Sequence, residues 1–292
     1  MLFGALEAGG TKMVLSVGNE KNEILERKSI PTRGPEETIR EMNAWFAARD
    51  ISALGIGTFG PVELSEGSPK YGWITTTPKL EWIDTPLLPA MRGALGVPAL
   101  IDTDVNAAAL AEYELGAAKG LRSCLYVTVG TGVGAGLVVE GNLVHGMMHP
   151  ELGHILLRQE EDDPTPDGFC PYHKGCLEGL ANGPAIEKRW RRSAKALPED
   201  HPAWDLEAKY LAQMCVDVIC AVSPEKIILG GGVMQQKHLF PRIRASVKTR
   251  LNGYIATPQV LEDIEHYIVE PGLGTSSGAM GALLLARRAA RL

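Results

Sequence analysis

The chain opens the same pattern twice. Residues 2–9 are apolar and suited to a strand. They end in Glu7-Ala8-Gly9-Gly10-Thr11-Lys12 and lead straight into a second strand over 13–18. At 124 the order returns: a strand, the turn Gly130-Thr131-Gly132-Val133-Gly134, and another strand through 139. In both places a glycine turn joins two strands, not a strand and a helix. That argues against the Walker and the dinucleotide-binding phosphate loops. The duplication predicts two related α/β domains facing each other, with a glycine turn from each at the cleft. Such a turn can still hold an anion, because backbone N–H groups line it and glycine lets a phosphate come close. Thr11 and Lys12 would add a hydroxyl and a cation. Taken alone, the first turn is equally compatible with an ordinary hairpin.

Between the two repeats the spacing predicts a third strand over 23–30, a helix over 35–49 and a strand over 51–59. A long loop follows, carrying Ser68-Pro69-Lys70-Tyr71-Gly72 and Thr75-Thr76-Thr77-Pro78-Lys79. It is too long for simple linkage and reads as functional. A short strand over 97–101 then delivers Asp102-Thr103-Asp104-Val105-Asn106 onto an alanine-rich helix over 107–116. Either acid could be only an N-cap, but two acids and an amide crowd one junction. In the second half, helices are expected over 185–193, 206–222 and 238–251. Strands are expected over 226–229, ending in Gly230-Gly231-Gly232, and near 267–270. A last helix over 279–291 is rich in small residues and is expected to pack closely, returning to the first domain. The expected division is 1–117, completed by 276–292, and 118–275.

A second cluster lies in the latter half. Cys170, His173 and Cys176 stand at C-x2-H-x2-C spacing, and His154 precedes them across a polar loop over 159–168. Two thiolates and two neutral imidazoles suit tetrahedral Zn2+ with no position left for water, so the expected role is structural. The metal would pin a loop too polar to hold itself by burial. Scattered thiols and imidazoles without a metal are the alternative. Glu151 and Glu178 bracket the cluster, so a pinned loop would hold two acceptors toward a polyhydroxylated ligand.

Composition sets limits. With 35 acidic and 29 basic residues the net charge is −6, which gives no reason to expect nucleic acid as a partner. No stretch approaches the roughly 18 apolar residues of a membrane span, and no basic region precedes an apolar one at the start. The five cysteines suggest reduced thiols and a cytoplasmic protein.

The two glycine turns, the Asp104–Asn106 junction, the strand ending in three glycines, and Glu151-x-Gly153-His154 ahead of the knuckle together resemble the ROK family of sugar kinases. That resemblance spans essentially the whole chain. It implies the actin-like ATPase (ribonuclease H-like) fold. The family commonly has cysteine where His173 stands, and both ligand sets suit zinc. The loop with Thr76-Thr77-Pro78-Lys79 is similar to the bacterial fructokinase branch. The resemblance then implies ATP and a hexose as substrates, Mg2+ with the nucleotide, and a homodimer. It makes Asp104 the base, and Asn106, Glu151, His154 and Glu178 the sugar-binding set. His154 would serve both metal and sugar. Gly10, Thr11, Lys12, Gly130, Thr131 and Gly132 would cradle phosphates, with Pro184, Gly231 and Gly232 near the adenosine. Fructose leads the candidate substrates, ahead of glucose, mannose and N-acetylhexosamines. A sugar sensor without turnover and a zinc-stabilised interaction module are the readings outside enzymology.

Overall fold

The computed structural model describes residues 1–165 and 167–291. Pro166, in the expected metal loop, and Leu292, at the end of the expected last helix, lie outside the described residues. The chain divides into two compact units. One comprises Met1–Gly116, Leu143–Pro150 and Thr275–Leu292, the other Ala117–Asn142 and Glu151–Gly274. Residues 143–150, which sit in the second half of the sequence, thus belong to the first unit.

In the first unit, strands β1 (Leu2–Ala8), β2 (Lys12–Asn19) and β3 (Ile24–Pro31) form an antiparallel run. Helix α1 (Pro35–Ala47) starts with proline in its first turn and two acids near its positive end. Its buried face is Thr38, Met42, Trp45 and Phe46. Strand β4 (Ala53–Thr58) pairs parallel to β1. Helix α2 (Leu87–Leu95) buries Leu87, Leu88 and Met91 and ends at Gly96. The sequence reading missed this helix, because Pro86, Pro89 and Gly93 in eleven residues look like a loop. Strand β5 (Ala99–Thr103) pairs parallel to β4 and runs directly into α3 (Asp104–Glu114). The sheet order is β3-β2-β1-β4-β5.

The second unit has β6 (Ser123–Val129), β7 (Val133–Val139) and β8 (Asn142–Leu143), then short α4 (Leu177–Leu180) and α5 (Gly183–Trp190). The long α6 (Ala203–Ala221) precedes β9 (Ile227–Gly230) and α7 (Leu239–Leu251). Short α8 (Pro258–Leu261) and α9 (Ile264–Tyr267) then lead to β10 (Ile268–Val269). Its sheet runs β10-β9-β6-β7-β8, with β6 antiparallel to β7 and parallel to β9. Numbered from its own first strand, this is the order of the first sheet, so the repeated glycine turns mark a true duplication of topology. The core of this unit is apolar, centred on Trp204, Leu211, Met214 and Val218 of α6 against Ile227 and Leu229 of β9.

The closing helix, α10 (Ser277–Ala289), belongs to the first unit and packs on α3, β1 and β4. A methyl group added at Gly281 would lie 1.8 Å from the Ala107 carbonyl oxygen, so the backbones of α10 and α3 touch. Among the described residues, no helix is long and apolar enough to cross a membrane.

One core residue breaks the apolar pattern. Glu207 on α6 is 1% exposed, and neither carboxylate oxygen has a hydrogen-bond partner. Burial pushes its pKa from 4.5 up to about 8, against a smaller opposing pull from Arg189. The fold therefore binds this proton more tightly than the unfolded chain does. Stability contributed by the neutral acid is complete below pH 4.5 and is lost as pH rises toward 8. Glu207→Gln, neutral at every pH, is expected to raise the melting temperature at pH 8.5 by roughly 5 °C. That corresponds to a few kcal/mol at most. At pH 4.5 little change is expected. Differential scanning calorimetry of both proteins at the two pH values checks this.

Candidate active site

In the first unit the site begins at the end of a sheet. Ala8 of β1 lies opposite Thr58 of β4, and Thr58 opposite Thr103 of β5, all three strands parallel. The glycine turn after β1 and the helix after β5 therefore leave the same sheet edge, two strand spacings or about 10 Å apart. Ligands of open α/β sheets gather at such carboxyl ends.

Helix α3 carries Asp104 as its first residue. Thr103, not either acid, is the N-cap: its Oγ1 accepts from Asn106 N–H at 3.0 Å. One Asp104 oxygen accepts from Val105 N–H at 2.9 Å. Behind it, buried Asp102 gathers three donors. Its Oδ1 takes Thr103 N–H at 2.8 Å and the Asn106 amide at 2.7 Å, and its Oδ2 lies 2.9 Å from His145 Nε2. The histidine must donate on that side, since a carboxylate only accepts. The 3.3 Å approach of the Asn106 amide to the same ring nitrogen is then a contact between two donors, not a bond. The hydrogen bond to Asp102 holds His145 above the usual histidine pKa.

Asn106 was expected to contact sugar. It is fully buried: its Nδ2 donates to Asp102, while its Oδ1 has no hydrogen-bond partner and is left to accept from a ligand. Sequence reasoning missed both histidines of residues 143–150. His145 grips Asp102, and His149 Nε2 accepts from Val62 N–H at 3.1 Å beside Gly60. Burial lowers the pKa of His149, which suits its role as an acceptor. Lone histidines in a loop carry no pattern that could have flagged them. His145→Ala is expected to lower kcat/KM about tenfold by freeing Asp102 and Asn106, the loss of one hydrogen bond to a buried charge. His145→Gln, which keeps a donor, is expected to recover most of it. Steady-state kinetics of the two variants decide this.

The first glycine turn is tight. Gly9 N–H donates to Lys12 O at 3.0 Å, and Thr32 Oγ1–H caps the Gly9 carbonyl at 2.8 Å. Thr11 and Lys12 are exposed at its tip. Just before it, Glu7 has a buried oxygen, Oε2, with no hydrogen-bond partner, and burial raises its pKa.

The second unit assembles a counterpart around the other turn. Asn182 caps α5, accepting from Ala185 N–H at 2.7 Å, and its amide donates to the Thr131 carbonyl at 3.0 Å. Gly183 N–H donates to the Gly130 carbonyl at 2.8 Å, with Pro184 next in the first turn of the helix. From the other side comes Gly231, at φ +93°. A side chain there would collide with Val129, 2.4 Å from its carbonyl oxygen. Gly130, Thr131, Gly132, Pro184, Gly231 and Gly232 thus fall in one neighbourhood.

Glu178 joins this turn to the cysteine–histidine cluster. Its Oε2 accepts from Val133 N–H at 2.9 Å and covers Gly132. Gly153 packs against the Val133 carbonyl so closely that a methyl would sit 1.9 Å from it. That brings the Glu151–His154 turn onto the same strand. Burial, reinforced by the charge of Glu178, pushes Glu151 up to about 7.

His154, Cys170, His173 and Cys176 offer ligand atoms that all lie within 4.8 Å of one another. His154 Nδ1 is 3.9 Å from Cys170 Sγ and 3.8 Å from Cys176 Sγ, and His173 Nδ1 is 3.8 Å from Cys170 Sγ. Tetrahedral zinc with ordinary bond lengths needs sulfur–nitrogen separations of about 3.5 Å, a few tenths of contraction. Since Nδ1 of His154 faces the sulfurs, Nε2 points to the opposite side of the ring.

The loop ahead of the knuckle has a second anchor that the sequence reading did not find. Buried Asp163 pairs with Arg189 at 2.9 Å and accepts from Tyr210 Oη at 2.7 Å. Burial opposes this carboxylate. Tyr210, Thr165 and Arg189 outweigh that and hold it below the usual range. The run Glu160–Asp163 reads as solvated acid, and its partners lie 26 and 47 residues away in the chain.

The chain matches the profile of the ROK family over residues 3–289. It is 45% identical to a fructokinase of Pediococcus pentosaceus, over 99% of both chains. It is 42% identical to a fructokinase of Zymomonas mobilis, over 98% of this chain and 96% of that one. Among solved structures it resembles a ROK family glucokinase from Streptomyces griseus in complex with glucose and AMPPNP. There the TM-score is 0.78 and the identity 26%, over 99% of this chain and 100% of that one.

Proposed function

The chain belongs to the ROK family, and on that footing we propose that it transfers the terminal phosphoryl group of ATP to fructose, giving fructose 6-phosphate. The observation that carries the reading is the shared sheet edge. A carboxylate at the start of α3 and a glycine turn with a hydroxyl and a cation stand two strands apart.

Phosphoryl transfer has a loose transition state, so positioning and charge balance do most of the work. Asp104 orients the attacking hydroxyl through its outer oxygen and takes the proton late. Asp102, Asn106 and Thr103 fix the start of the helix that carries Asp104. Gly10, Thr11 and Lys12 take phosphate in the first unit, and Gly130, Thr131 and Gly132 in the second. Pro184, Gly231 and Gly232 accommodate the nucleoside end, where backbone without side chains lets a flat base approach. Glu151, Glu178 and His154 Nε2 bind sugar hydroxyls. Magnesium bound with the nucleotide would supply positive charge against its phosphates. Glu7, with its unpartnered oxygen beside the first turn, suits a cation held through water.

Zinc fits the two-thiol, two-imidazole set, with His154, Cys170, His173 and Cys176 as its ligands and a structural role. When bound it would fix the His154 ring and the start of α4, which carries Glu178. Five free cysteines accord with a reducing, cytoplasmic setting. Kinship with ROK kinases suggests a homodimer, which sedimentation equilibrium tests. Phosphorus NMR of the reaction product tests the position of transfer. Phosphate on O6 is expected, and phosphate on O1 contradicts this reading.

A further inference from the structure

The loop between β4 and α2 brings a lysine to the first glycine turn. Buried Thr77 starts the local structure, with its Oγ1 accepting from Lys79 N–H at 3.3 Å. The Lys79 carbonyl accepts from Trp82 N–H at 2.8 Å. Trp82 is itself fixed: it is 1% exposed, donates from its indole to the Arg33 carbonyl at 2.9 Å, and meets Phe59 edge to face. The backbone of Lys79 is therefore held on both sides.

Its side chain reaches back across the turn. The Lys79 Cε lies 3.4 Å from where a methyl on Gly10 would be, so the stem lies over the glycine. Among the described residues its ammonium has no ion pair and no hydrogen bond. Nearby Glu81 does not serve it, since that carboxylate lies by Gly34. Lys12 stands exposed on the same turn. With the Lys79 stem over Gly10 and Lys12 on the same turn, an anion seated there would meet two cations. The first glycine turn and Asp104 share one sheet edge, so a phosphate on this turn is the one that faces the sugar hydroxyl Asp104 orients.

We propose that Lys79 binds the terminal phosphoryl group of the nucleoside triphosphate and follows it through transfer. This rests on reading the first glycine turn as a phosphate site. In the step, the sugar oxygen forms its bond to phosphorus as the bond to the bridging oxygen of the departing diphosphate breaks. The hydroxyl proton passes to Asp104. Lys79 stays protonated and balances charge on the equatorial oxygens, which are present in the triphosphate and absent from the diphosphate product.

The test is calorimetric titration of Lys79→Met with magnesium AMPPNP and with magnesium ADP, beside turnover on ATP and fructose. AMPPNP affinity is expected to fall about tenfold or more, ADP affinity to stay within twofold, and kcat to fall about 100-fold. Equal losses for both nucleotides would place Lys79 in support of the turn and overturn the proposal, as would no loss for either. Lys12→Met separates the two readings. If it weakens nucleotide binding while Lys79→Met does not, the turn takes phosphate without Lys79. If neither variant changes nucleotide binding, the turn itself is not a phosphate site.

Discussion

Asp104→Asn is expected to lower kcat on fructose by about 10³-fold or more while fructose still binds within a few-fold of the parent. The amide fits the same space and keeps an oxygen for Val105 N–H, so the start of α3 should not move. What it loses is the ability to accept the hydroxyl proton. The supporting frame is independent of that group, since Thr103 caps the helix and Asp102 gathers Thr103, Asn106 and His145 behind it. Isothermal titration with fructose alongside single-turnover kinetics separates binding from chemistry. Undiminished turnover in the variant would remove Asp104 from the reaction.

Stripping the cysteine–histidine cluster of metal is expected to lower kcat/KM for the sugar by about 100-fold or more, yet to leave most of the fold intact. The reason lies in where the ligands sit. His154 follows Glu151 by three residues, and Cys176 N-caps the short helix that begins with Leu177 and Glu178. Loosening these ligands loosens the sugar acceptors. The far half of the loop keeps its own anchor, because Asp163, Arg189 and Tyr210 are buried together without any metal. Cys176→Ser should reproduce the loss, with far-ultraviolet circular dichroism nearly unchanged. Metal content, measured by elemental analysis, should fall with activity. Full activity in metal-free protein would sever the cluster from the sugar site.

The parts legible in the sequence were those with a local pattern. Strand, glycine turn and strand recur at the start of each half, and the two sheets repeat one strand order because of it. The C-x2-H-x2-C spacing, with His154 upstream, was enough to gather four residues that could hold a metal ion. What stayed hidden depended on distant partners. His145 and Asp102 are 43 residues apart, and Asp163 and Tyr210 are 47. Nothing in either neighbourhood announces its partner. Asn106 illustrates a different limit. Its place beside Asp104 was readable, but that Asp102 takes its Nδ2 and leaves its Oδ1 unpartnered was not. Helix α2 was missed because prolines and a glycine outweighed its apolar face of Leu87, Leu88 and Met91.

Fructose phosphorylation is the activity on which the other expected outcomes depend. Its most direct test is ADP release with magnesium ATP across fructose, glucose, mannose and N-acetylmannosamine. Turnover on fructose with the highest kcat/KM of the panel is expected. A metal-replete protein that releases no ADP with any of these hexoses would contradict it, and would favour a sugar-binding protein without turnover.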